Sequence, residues 1–417
     1  MANVYILPEH IWRRLNFSTI SEFNNGDMIG SGPFRLTRFL PGAFAQLTPF
    51  KHYYHPRSHL EGIEFQTFDN FPTMSEAISS GTVDLLIGFS APATKALAGI
   101  PNVALEVGAP AEPLVSTVLL NVADPAKCPA AGDCTGHPAL RSLAVRQALA
   151  HATNKQQIID ELLDGTGTPG MTLIPAGYGI WYNRQIRDFA YNIARANLLL
   201  ETAGYRDLNG DGVREMPGGQ RSLVFRLSWP SDNAEAAQLA ALLSQEWAKI
   251  GIRTEPAAIK PDALTTIASP AFAYDIIVWG SGVLQDPSTL LKVMTTGQLA
   301  NGVNETGYSN PEYDALYRLQ ASELDLQKRQ QMIWRMQEIA HNDTPYIIPY
   351  YTETVEAYRT DRFTGWTLNQ GRVALEDFSS IMRLRLCHTD HNALITQIAL
   401  GIDARLAHNC ARSCQGF

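Results

Sequence analysis

The feature that most constrains this chain is a recurring step. An apolar-faced helix stops at a glycine, and an apolar strand comes next. Residues 72–80 predict a short helix stopped by Gly81, and TVDLLIG at 82–88 predicts a buried strand. Glycine suits the left-handed turn that ends a helix because it has no Cβ to clash. Residues 139–151 and 155–163 are helical, the second closed by Gly165, and 191–203 is followed by Gly204. A longer helix is expected over 232–250, with Asp232 as N-cap and Glu235 completing a capping-box pattern. Gly251 ends it, and IRTEPAAI then reads as a strand. SLVFRLSW at 222–229 places Leu223, Phe225, Leu227 and Trp229 on one face, as a half-buried strand requires. YDIIVWG at 274–280 is a further apolar strand. Helices start near 311, where Asn310 caps and Pro311 opens the first turn, and near 325. YIIPYYTE at 346–353 is extended, and Pro349, with no N–H to donate, points to a sheet edge. Helices and strands alternating through 417 residues predict an α/β chain of more than one domain.

Several function classes are excluded. The formal net charge is -8 and no basic block occurs, so the chain lacks the Lys/Arg cluster that meets nucleic-acid phosphates. No apolar run reaches the roughly 18–20 residues needed to span a bilayer. MANVYILPEHIWRRL lacks the basic region and apolar core of a secretory signal. No H-E-x-x-H, P-loop or nucleophile elbow is present, and His151 and His341 sit on amphipathic helices, so no enzyme is expected and no cofactor. Arg146 suits a helix-anchoring salt bridge better than an anion site.

Two small patterns leave alternatives open. Asp207, Asn209 and Asp211 begin like a structural calcium loop, with alternate oxygen ligands and Gly212 following. The twelfth position is Gly218 rather than a bidentate Glu, and the same residues fit a plain Asx-rich turn. Cys128 and Cys134 fit a short-loop disulfide in an oxidising compartment, or two free loop thiols.

A set of ordered landmarks carries a resemblance. They are ILPEHIW (6–12), GSGPFRLTRFLPG (30–42), HYYHPRSHLEGIEF (52–65) and ISSGTVDLL (78–86). LRSLAVRQALAHATNKQQIIDELLDGTGTPG (140–170), ARANLLLETAGYRDLNGDGVRE (194–215), LLSQEWAKIGIRTE (242–255) and the helix pair within 307–351 follow. In this order the chain resembles the large bacterial solute-binding proteins that capture peptides, nickel chelates or sugars for ABC importers. The resemblance implies an α/β fold of the periplasmic-binding-protein-like type II. Two hinged lobes close over a ligand, and no catalytic group is needed. It implies a partial first lobe at 1–120, a second lobe at 121–362 and a return at 363–383, and it leaves 384–417 as a tail outside the resemblance, of uncertain origin. That family begins well upstream of ILPEHIW, so a signal peptide, the first strands of lobe I and an accessory domain are expected to be missing.

The resemblance also implies a site. Its candidate ligand-binding residues are Trp279, Ser281, Val283 and Leu284, with Asn121 placed where the chain crosses between lobes. Peptide-binding relatives carry an aspartate for the peptide's amino group, and that position falls on Val283. Valine cannot neutralise a buried ammonium, so a neutral or differently anchored ligand is expected, such as an oligosaccharide or a blocked peptide. Trp279 either stacks on that ligand or packs the core. The implied partners are the solute and membrane permease subunits, with the protein a monomer in the periplasm or anchored as a cell-surface lipoprotein. A sensor or a remnant with no transport role is the alternative. In the tail, ALITQIALGIDARLA (393–407) has the apolar positions of a short helix.

Overall fold

A computed structural model describes residues 8–16, 23, 29–89, 94–110, 114–282, 286–300, 302–368, 373–387 and 395–400. The chain forms two compact units, one from Met1–Ala111 with Glu353–Phe417 and the other from Glu112–Thr352.

The first unit opens with a single turn, α1 (Glu9–Trp12), then β1 (Phe34–Leu40), β2 (Phe44–Pro49) and β3 (Gly62–Thr67). Helix α2 (Phe71–Ser80), β4 (Leu85–Ile87), the turn α3 (Thr94–Leu97) and β5 (Val103–Gly108) complete its first part. Asn70 caps α2 by accepting the Thr73 N–H, and Gly81 ends it at φ 78°. The expected strand at 82–88 is shorter because 82–84 turn out of the helix first.

The second unit starts with β6 (Leu114–Leu120), α4 (Leu143–His151), α5 (Lys155–Leu162), β7 (Gly167–Pro169) and α6 (Ile193–Thr202). It continues with β8 (Val224–Pro230), α7 (Ala234–Ala248), β9 (Arg253–Ile259), α8 (Pro261–Ala268) and β10 (Ile276–Gly282). The turn α9 (Ser288–Lys292), α10 (Pro311–Ser322), α11 (Leu326–Asp343), β11 (Tyr346–Ile347) and β12 (Tyr350–Thr352) close it. The chain then returns to the first unit through β13 (Thr354–Arg359), β14 (Phe363–Thr364), the turn α12 (Phe378–Ile381), β15 (Arg385–Leu386) and β16 (Ile395–Leu400).

The second sheet runs β7-β12-β6-β10-β8-β9, with β11 also on β6. Strands β8, β9 and β10 are parallel, and β6 is antiparallel to β10. One face packs under α4, α5, α6 and α7 through Val118, Leu120, Phe225, Leu227, Ile276 and Val278. Helix α7 buries Ala236, Leu239, Ala240, Leu243 and Trp247, a 3.6-residue stripe. The Trp247 indole N–H donates to the Leu149 carbonyl and the Thr153 hydroxyl, both at 3.2 Å.

Four expectations change. The cap of α7 is Asn233, whose side chain accepts the Ala236 N–H, one residue beyond Asp232. Segment 346–353 is not an edge: Pro349 falls between β11 and β12, and β12 lies inside the sheet between β7 and β6. The units divide at 111/112 and 352/353 rather than at 120/121 and 362/363, because β6 pairs within the second sheet and β13 within the first. Segment 395–400 is not helical but forms β16, with its neighbours β3 and β4 both parallel to it.

Cys128 and Cys134 are bonded to each other. Asp133 and Cys134 donate their N–H groups to the Ala271 carbonyl, which ties this loop to the start of β10. Closing so short a loop lowers unfolded-state entropy by about 2 kcal/mol at 25 °C. The double variant Cys128→Ser/Cys134→Ser is therefore expected to lose about 2 kcal/mol, read from urea midpoints of oxidised wild type and variant.

His137 is held neutral chiefly by its burial. Its Nδ1 accepts the Ala139 N–H at 3.2 Å, and Nε2 lies 3.1 Å from the Ser222 carbonyl. Burial, with Arg221 nearby, pushes its pKa down to about 4 from 6.5. A lowered histidine contributes stability that is full above 6.5 and is lost as pH falls toward 4. Glu305 opposes this: burial raises its carboxyl from 4.5 to about 7, so its contribution is lost as pH rises through that window. The His137 effect is thus expected in the difference between wild type and His137→Asn. That difference should shrink on acidification from pH 6.5 to 4, and equal urea midpoint differences at both ends would contradict it.

Candidate functional site

The carboxyl half of β10 is where the second sheet gathers its unusual groups. Trp279 faces Thr117 across the ladder, Ser281 faces Val115, and Ile277 faces Leu119. The Trp279–Thr117 and Ile277–Leu119 pairs share the sheet face opposite the α4–α7 layer, since side chains alternate along a strand. Trp279 is half-buried against Leu119, Leu264, Ala268, Tyr274 and Ile277. It is thus partly a core residue and partly exposed. The Thr117 hydroxyl is buried and makes no hydrogen bond within the structure described. Such an orphan costs about 1–3 kcal/mol.

Both chain crossings lie at this end of the second sheet. Strand β6 begins at Leu114, which pairs with Gly282, and Val115 pairs with Tyr351 of β12 just before Thr352. The backbone of Ser281 lies in the strand, and Val283 and Leu284 fall outside the described residues.

Beyond them Asp286 is paired with Arg329. Arg329 Nη2 donates to both its carboxylate oxygens at 2.9 Å, and the Ser288 N–H donates at 2.8 Å. Burial works to raise this carboxyl, but the Ser288 and Arg329 bonds outweigh it and hold it below the ordinary range. The guanidinium also lies 4.8 Å over the Trp181 ring. The charge of Asp286 is therefore already paired with Arg329.

Asn121 stands at the far end of β6, away from the crossing where it was expected. Its Nδ2 donates to the Phe272 and Tyr274 carbonyls at 2.9 and 2.7 Å, and its Oδ1 accepts the Ala123 N–H. That full set of bonds explains its burial by fold alone. Among the described residues Arg146 makes no salt bridge. It donates to the backbone carbonyls of Asp343, Leu140 and Arg141, capping the end of α11.

The loop after α6 brings carboxylate oxygens of Asp207, Asp211 and Glu215 within 4.8 Å of one another. Asp207 accepts the N–H groups of Gly210 and Gly212, Asn209 that of Asp211, and Asp211 that of Val213. Glu215 accepts the Leu208 N–H and an Asn209 side-chain N–H. An ion would compete with these bonds. Millimolar calcium, compared with chelator, is expected to move the melting temperature by less than about 1 °C, a scale set by linkage; a larger rise would assign a structural ion here.

Sequence reasoning did not find Asp275, Thr117 or the Arg329–Asp286 pair. Asp275 precedes an apolar strand, and nothing local marks an aspartate as buried.

The chain was compared with known proteins. The family described as bacterial extracellular solute-binding proteins, family 5 middle, matches residues 3–301. Oligopeptide-binding protein AppA of Bacillus subtilis is 25% identical over 369 residues, covering 85% of this chain and 64% of that protein. Heme-binding protein A of Haemophilus influenzae is 25% identical over 328 residues, covering 76% of this chain and 54% of the relative. The chain thus spans about two thirds or less of the length of these curated relatives. A crystal structure of a putative peptide binding protein AppA from Clostridium difficile superposes with TM-score 0.72 at 18% identity, over 91% of this chain and 72% of that one. The fold is the expected one, periplasmic binding protein type II.

Proposed function

This chain belongs to the bacterial extracellular solute-binding proteins of family 5, and from that premise we propose that it captures a peptide-like or oligosaccharide-like solute for an ABC importer. The observation that carries the reading is the family match across 3–301 on a fold of the same type. No helix among the described residues is long and apolar enough to cross a membrane, so delivery would require separate permease subunits. The Cys128–Cys134 bond favours an oxidising, extracytoplasmic compartment, periplasm or cell surface.

The ligand-binding face we propose is the carboxyl half of β10, with Trp279 as the stacking group and Ser281, Val283 and Leu284, which follow it in sequence, as further candidates. Asp286 is occupied by Arg329, which favours a ligand without a free amine. The test is calorimetry and thermal shift with three probe sets: free-amine tripeptides, N-acetylated tripeptides and short oligosaccharides. One of the latter two sets is expected to bind and to raise the melting temperature without being consumed. Micromolar binding of free-amine peptides would overturn the ligand assignment. Turnover of any probe would overturn the transport reading.

A further inference from the structure

The guanidinium of Arg146 is only partly used by the fold. Nε and Nη1 donate to the carbonyls of Asp343, Leu140 and Arg141. Nη2 has no hydrogen-bond partner among the described residues, yet it is not sealed off from solvent. Arg146 is 7% exposed, and it lines a cavity of about 390 Å³. Every residue of that cavity belongs to the second unit. The cavity lies past the end of β6, and the seven residues of that strand put about 20 Å between it and the chain crossing at Leu114. Cys134, Phe272 and Leu299 pack together as an apolar part of its wall. Lys127 and Arg141, both exposed, add two cations to that of Arg146. Two carboxylates also line it. Asp124 accepts the Ala126 N–H, and Asp343 accepts the Tyr308 hydroxyl and an Asn310 side-chain N–H. Three cations against two carboxylates leave one positive charge unmatched.

We propose that this cavity is a second ligand site, for a small amphipathic carboxylate whose charged end meets Arg146 Nη2 and whose apolar chain lies against Cys134, Phe272 and Leu299. A buried cation with a donor to spare favours an anion, because pairing strengthens where water is sparse. The apolar wall favours a ligand with a hydrocarbon body over a bare inorganic ion. A carboxylate fits better than a phosphate. The backbone N–H groups of Val122, Ala123, Gly307 and Tyr308 are already given to Thr306, Asn121, Asn304 and Thr306. No cradle of these backbone donors is therefore left for a phosphate group. The Cys128–Cys134 bond closes the loop that carries Lys127 and Cys134, so it holds one wall of the cavity in shape.

Calorimetry on the full, oxidised chain with hexanoate, acetate and 1-hexanol tests this. Hexanoate is expected to bind with a dissociation constant of about 1 mM or tighter, the scale of a small ligand with one charged contact. Acetate should bind more than ~10-fold more weakly, since each buried methylene contributes about 4-fold. 1-Hexanol has the same chain without the charge and should bind more than ~10-fold more weakly than hexanoate, the loss of a charge-assisted bond. Lys127→Ser/Arg141→Ser leaves the Arg146 cap of α11 in place and should weaken hexanoate about 5-fold, the scale of two exposed charges. Nuclear magnetic resonance of the wild type locates the ligand without any variant. Hexanoate should shift the Arg146 Nε–H and the amides of Ala123 and Tyr308, and leave those of Trp279 to Ser281 unmoved. Shifts at Trp279 to Ser281 instead would place the anion on the proposed solute face and overturn this site. Equal binding of hexanoate and 1-hexanol would overturn the anion assignment, and equal binding of hexanoate and acetate the apolar one. Unchanged affinity in the double variant, or no heat from hexanoate with the wild type, would overturn the proposal as a whole.

Discussion

Asp275→Ala is expected to cost about 3–5 kcal/mol of stability, the range for removing one partner of a buried charged pair. Asp275 is 1% exposed. One oxygen accepts the His137 N–H at 2.7 Å and Arg226 Nη2 at 2.9 Å. The other accepts the Arg226 backbone N–H at 2.8 Å and its Nε at 3.0 Å. The carboxylate thus joins the loop before α4 to β8 at the foot of β10. Alanine leaves the His137 N–H without a partner in a dry environment, at about 1–3 kcal/mol. Arg226 is left less stranded, because its side chain is 42% exposed and partly keeps its water. That argues for the lower part of the range. Urea denaturation followed by circular dichroism measures the loss, and a change below about 1 kcal/mol, an ordinary surface effect, would show that Asp275 is not an anchor.

Trp279→Ala is expected to weaken solute binding by roughly 30-fold, about 2 kcal/mol, the scale of a central aromatic contact. This expectation rests on the proposed binding face. The ring is large and flat, it is only half-buried, and it stands opposite the orphan hydroxyl of Thr117. Trp279→Phe should retain most of the affinity, since a phenyl ring still stacks. Calorimetry with the probe found to bind gives the dissociation constants. If Trp279→Ala binds as tightly as wild type while its melting temperature falls, the residue belongs to the core and the face must be sought elsewhere.

What the sequence made legible was local. Helices α2, α5, α6, α10 and α11 follow from apolar periodicity with a cap before or a glycine after. Asn310 does cap α10, accepting the Glu312 and Tyr313 N–H groups. The alternation in 222–229 and the apolar run in 274–280 gave β8 and β10 because their own side chains decide which face is buried. What stayed hidden depends on distant partners. ITQIAL is a short apolar run, and such a run suits a helix or a strand equally. Only the presence of Gly62–Thr67 and Leu85–Ile87 on either side decides for a strand. Pro349 signalled an edge because it cannot donate, yet it sits in a gap between two short strands where no donor is needed. Of the proposed face, Trp279 falls on the strand expected at 274–280, whereas Ser281 lies past its expected end, and the pairing of Asp286 with Arg329 spans 43 residues and leaves no local trace.

The position of β16 has a consequence for how the chain is made. All strands of the second sheet lie within Glu112–Thr352, so that unit can fold once this continuous stretch has left the ribosome. The first sheet cannot. Strands β3 and β4 are complete by Ile87, but the strand between them ends at Leu400. Roughly 300 residues must be added in the interval, which at ~5–20 residues per second is about 15–60 s. Through that time the ladders that β16 makes with β3 and β4 cannot form. The second unit thus depends on one continuous stretch, while among the described strands the first sheet joins segments made far apart in time, so its pairing lags that of the second.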